Sequence, residues 1–77
     1  MAKSKSRVSN RVRELRFQHG EMTQQDLARV IGVTRQTIIA VEQGRFCPSL
    51  ESALRMGRLF KVSVEDMFIL DETLDSL

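Results

Sequence analysis

Residues 23–44 read TQQDLARVIGVTRQTIIAVEQG, and their punctuation decides the fold. Thr23 carries a hydroxyl able to accept an orphan backbone N–H at a helix start, with Asp26 in the reciprocal capping-box position. Leu27, Ala28 and Ile31 then recur at helical spacing as one inward stripe. Gly32 stops this helix, because only glycine takes a left-handed turn without steric cost. Val33 fills the corner. Two residues after the glycine, Thr34 caps a second short helix running to about Gln43, with Ile38 and Val41 facing inward and Gly44 ending it.

Further helices flank this pair. Upstream, Val8, Val12 and Leu15 predict a helix from about Ser9 to His19, closed by Gly20. Downstream, Ser49 caps a helix whose expected inner face is Leu50, Ala53, Leu54, Gly57 and Phe60. Ser63 caps a last short helix from Val64 to about Phe68, presenting Val64, Met67 and Phe68. Phe46, in the loop through Pro48, is read as a plug of the core, with a subunit contact as the alternative. Gly57 in mid-helix costs about 1 kcal/mol relative to alanine unless another helix approaches closely. No segment alternates with a period of two, so the predicted class is all-α with five helices. The expected organisation is a flexible basic arm over 1–8, one domain over 9–69, and an acidic, partly apolar tail over 70–77.

Composition narrows the function. Seventy-seven residues support one small core. Cys47 is the only cysteine, so no internal disulfide is available, and with a single histidine, His19, a four-ligand metal site is not expected. No stretch is apolar enough to span a membrane and no leader is visible, which predicts a cytoplasmic protein. A Ser/His/Asp set and a carboxylate pair in an apolar setting are both missing, so neither an enzyme, a cofactor nor a small-molecule substrate is expected. Charge is divided along the chain. Residues 1–20 carry Lys3, Lys5, Arg7, Arg11, Arg13 and Arg16 against Glu14 alone, whereas residues 49–77 carry three cations against six acids. A basic front and an acidic rear suit a protein that turns one face toward phosphate.

Two short helices joined by a tight glycine turn form a helix-turn-helix, in which the second helix enters the DNA major groove. The run MTQQDLARVIGVTRQTIIAVEQGRFCPSLESALRMGRLFKVSVEDMF, with RVRELR ahead of it, resembles the Cro and phage-repressor regulators, the XRE family. The resemblance covers about Asn10 to Phe68 and implies a lambda-repressor-like domain. It places Arg35, Gln36, Thr37 and Ala40 where relatives touch bases. Arginine suits guanine O6 and N7, glutamine suits adenine N6 and N7, the Ala40 methyl suits thymine, and Thr37 suits either a thymine methyl or a phosphate. It places Gln24, Thr34 and Arg45 at backbone phosphates, and it pairs Arg16 with Glu42 as a structural ion pair. Departures are Glu21, an extra residue before the second helix; Gln43 in place of the usual Asn; and Ile39 at a position usually polar. The partners implied are double-stranded DNA, in or near the nucleoid, and a second copy of the chain. Phe68, Ile69, Leu70, Leu74 and Leu77 are the apolar residues expected at that dimer contact. The function implied is a homodimeric repressor reading a palindromic operator. The alternative is an antitoxin or other protein-interaction module.

Overall fold

A computed structural model describes residues 8–70. The order is β1 (Val8–Asn10), α1 (Val12–Gln18), α2 (Gln24–Ile31), α3 (Arg35–Glu42), α4 (Leu50–Phe60), α5 (Val64–Met67) and β2 (Phe68–Leu70). The basic arm up to Arg7 and the tail from Asp71, with Leu74 and Leu77, lie outside the described residues.

Five helices are present among the described residues, but the class is not purely all-α. β1 and β2 pair antiparallel, Val8 opposite Leu70, Ser9 opposite Ile69 and Asn10 opposite Phe68. Three-residue strands are too short to show alternation, and their hydrogen-bonding partners lie at the other end of the chain. The ribbon displaces the start of α1 from the expected Ser9 to Val12. Asn10 makes the transition. Its Oδ1 accepts from the Val12 N–H at 3.1 Å while its Nδ2 donates to the Val41 carbonyl at 2.8 Å. One side chain thus starts α1 and ties it to the end of α3. The Arg11 N–H donates to the Met67 carbonyl at 2.9 Å, fastening the same corner to α5.

The helix starts are built as their sequences dictate. Thr23 and Asp26 complete a reciprocal capping box, and Thr34, Ser49 and Ser63 each accept an N–H three residues on. Gly32 ends α2 with φ +89°, directing the chain into α3. The loop before α2 uses a costlier device. Glu21, the extra residue, adopts φ +56° directly after Gly20 at +72°, a conformation that costs a β-carbon residue roughly 1–2 kcal/mol.

The core joins all five helices: Val12 and Leu15 of α1, Leu27, Ala28 and Ile31 of α2, Ile38 and Val41 of α3, Met56 and Phe60 of α4, and Met67 of α5. Met22, Val33 and Phe68 pack against its margin. Two expected members lie elsewhere. The buried face of α4 is Ala53, Met56, Gly57 and Phe60, whereas Leu50 and Leu54 are 73% and 53% exposed. The leucines lie one turn apart on a neighbouring face, and the packing of α2 and α5 selects the face carrying the small residues. Phe46 is also half-exposed and does not plug the core.

Gly57 shows why that face wins. A β-carbon there would lie 2.9 Å from the Val62 carbonyl oxygen, a backbone atom of the turn into α5. Gly57→Ala gains about 1 kcal/mol of helix propensity but incurs about 1–3 kcal/mol of overpacking. The expected net result is a loss of about 1 kcal/mol, read as a fall of several degrees in the thermal midpoint. A variant as stable as the parent would show that the turn yields freely.

Candidate nucleic-acid interface

Arg16 is the only buried charged residue among the described residues, at 6% exposure. Its Nε and Nη2 donate to Glu42 Oε2 at 2.6 Å and Oε1 at 3.1 Å, and Nη1 donates to the Met22 carbonyl at 2.8 Å. The fork is therefore matched to one carboxylate and one carbonyl, the bidentate geometry in which a guanidinium binds most strongly. Gln24 adds a third donor, its amide reaching Glu42 Oε1 at 3.1 Å. Helices α1, α2 and α3 are joined at this point. Every buried side-chain N and O among the described residues has a partner, so the network carries no orphaned group to offset its stabilisation.

Above this anchor lies the surface built by α3. Arg35 and Gln36, in its first turn, are exposed, and Thr37 and Ala40 are half-buried on the same helix. Among the described residues, no side-chain hydrogen bond holds Arg35 or Gln36, leaving their donors and acceptors available, as direct reading of base edges requires. Thr34 accepts the Thr37 N–H at 3.2 Å, and the two hydroxyls lie 3.0 Å apart. The Thr34 side chain is thus engaged in capping. Arg45 follows α3, its Nε donating to Gln43 Oε1 at 2.9 Å. Gln24 sits in the first turn of α2, whose amino end supplies unpaired N–H groups suited to an anion. Arg13, Phe17, Gln24, Ile39, Glu42 and Gln43 line one shallow depression beside α3. Ile39 is half-buried in its wall.

Of the positions that the resemblance singled out, the structure joins Arg16, Gln24 and Glu42 in one network and Thr34 with Thr37, and it adds three that were not singled out. Asn10 holds the end of α3, and Arg13 and Phe17 border its surface. Arg13 and Phe17 do fall four apart on α1, a spacing readable in advance. Nothing local, however, says that this face meets α3.

The helix-turn-helix family model matches residues 12–67, with α2, the Gly32 turn and α3 at its centre. The chain belongs to the XRE, phage-repressor type of helix-turn-helix regulators. A relative in Methanothermobacter thermautotrophicus, described as an HTH-type transcriptional regulator, is 55% identical over 62 residues, covering 79% of this chain and 88% of its own. The Bacillus subtilis regulator YgzD, described likewise, is 43% identical over 65 residues, covering 84% and 97%. The fold also matches a crystal structure from Bacteroides fragilis described as DNA-binding, at TM-score 0.69 and 21% identity, covering 79% of this chain and 97% of that one.

Among the described residues, four ion pairs sort the arginines. Arg11, Arg16, Arg29 and Arg55 are paired with Glu14, Glu42, Asp26 and Glu51. Glu14 is held below the usual carboxylate range by its hydrogen bond and charge contact with Arg11. Asp26 is lowered first by its capping-box bonds to Thr23 and then by Arg29. Arg13, Arg35 and Arg45, all around α3, form no ion pair among the described residues, so their charges stay available to phosphate.

Proposed function

We propose that the chain is a sequence-specific transcriptional repressor that binds a palindromic operator as a homodimer, acting in the cytoplasm at the nucleoid. The carrying observation is the first turn of α3, where Arg35 and Gln36 stand exposed and uncommitted on a helix pinned from beneath by Arg16 and Glu42. Arg35 suits a guanine, Gln36 an adenine, and the Thr37 and Ala40 methyls a thymine. Gln24, Thr34 and Arg45 suit phosphates, which set register while the bases set sequence.

The dimer reading is supported by β2. Its outer edge has no partner strand among the described residues, and Ile69 and Leu70 are exposed there. An open apolar strand edge is an opportunity for a second copy to pair. A two-fold dimer presents two α3 helices to half-sites about 34 Å apart, one helical turn of DNA.

Selection of bound duplexes from a random pool should return an inverted repeat with that spacing, and sedimentation equilibrium of the full chain should give a dimer. Affinity should fall steeply between about 50 and 200 mM salt as counterions are released. Recovery of no preferred sequence, or a monomer bound to a single half-site, would count against the reading.

A further inference from the structure

We infer that Arg13, seated on Phe17, forms with the amides of Gln24 and Gln43 a clamp for a DNA backbone phosphate beside the carboxyl-terminal half of α3. The inference rests on the DNA-binding reading and adds to it an anchor on α1. Arg13 is exposed, and its guanidinium carbon lies 5.5 Å from the Phe17 ring centroid. Arg16 approaches the same ring at 5.4 Å. Stacking on an aromatic face restricts a long side chain that otherwise samples many rotamers, so less freedom is lost when it grips a ligand.

The surroundings select an anion. Glu42 borders the depression, but Arg16 and Gln24 already donate to it. Glu14, the acid nearest in sequence, is taken by Arg11. The site therefore keeps the charge of Arg13. Gln43 accepts from Arg45 through its oxygen, which leaves its amide N–H groups free to donate. Gln24 keeps a second amide hydrogen beyond the one given to Glu42. A planar guanidinium that shares a depression with two amide donors suits a phosphodiester, whose two free oxygens accept in parallel. Arg58 and Lys61, exposed cations away from α3 that form no ion pair among the described residues, border a different depression with Leu54 on α4, so this pattern is specific to the α3 side.

Fluorescence anisotropy on the selected operator and on an unrelated duplex, across a salt series, tests the clamp. Arg13→Ala should weaken both duplexes roughly fivefold per protomer at about 0.15 M salt, and make the slope of log K against log salt shallower by about 0.9 per protomer. Base preference and thermal midpoint should be unchanged, since Arg13 supports no buried group. Arg13→Lys should keep the parent slope, because the charge remains. Phe17→Leu should lose affinity while keeping the slope. An Arg13→Ala protein with the parent's affinity and slope overturns the clamp, as does a loss of preference at a single base pair. Parent protein that binds neither duplex overturns the DNA reading itself, and because it is titrated in every series the two failures are told apart.

Discussion

Replacing Glu42 with alanine should lower the unfolding free energy by about 3–5 kcal/mol, the range for removing one partner of a buried ion pair. Both side chains are only 8% exposed, so water cannot take the place of the lost carboxylate. Arg16 would be left with one of its three hydrogen bonds, to the Met22 carbonyl, and Gln24 would lose its acceptor. A domain of this size has a total stability of roughly 4–12 kcal/mol. The variant should therefore unfold at a much lower urea midpoint, with a substantial unfolded fraction at 37 °C. The matched replacement of both partners, Arg16→Met with Glu42→Leu, should recover much of the stability, since no uncompensated charge remains. It should not recover DNA affinity, because Gln24 and α3 lose their common anchor. A loss below about 1 kcal/mol in Glu42→Ala, the level of an exposed pair, would show that the pair is not what positions α3.

The second large effect concerns recognition. Arg35→Ala and Gln36→Ala should each abolish discrimination at one base pair of the half-site, about 1–3 kcal/mol or roughly 5- to 150-fold. Neighbouring positions should keep their preferences. Thermal midpoints should barely change, because both residues are exposed and neither side chain holds another group. Competition of the selected operator against single-base variants reads the effect directly. Equal weakening across all variants would mean that these side chains touch only phosphate, and α3 would then not be the reading helix.

Much of the site was legible because its signals are local. The Thr23 capping box, the left-handed Gly32 and the Thr34 cap each close within three or four residues, so the chain can be read a window at a time. Leu27, Ala28, Ile31, Ile38 and Val41 repeat at helical spacing and all are buried. The misreading of α4 has a physical cause. Leu50, Ala53, Leu54, Gly57 and Phe60 span an apolar arc wider than one contact face, and hydrophobicity alone does not say which side docks. Gly57 decided it, since its missing side chain admits the Val62 carbonyl.

The amino-acid order by itself determined the helix–glycine–helix unit and the exposed start of α3, because caps, turns and periodicity draw their energy from near neighbours. Only the folded chain decided the β1–β2 ribbon, which joins residues some 60 positions apart, the docked face of α4, and the tie from Asn10 to the end of α3. Those features depend on contacts whose loop-closure entropy is overcome only when the whole core assembles. A segment read alone holds no record of the partner that will cover it.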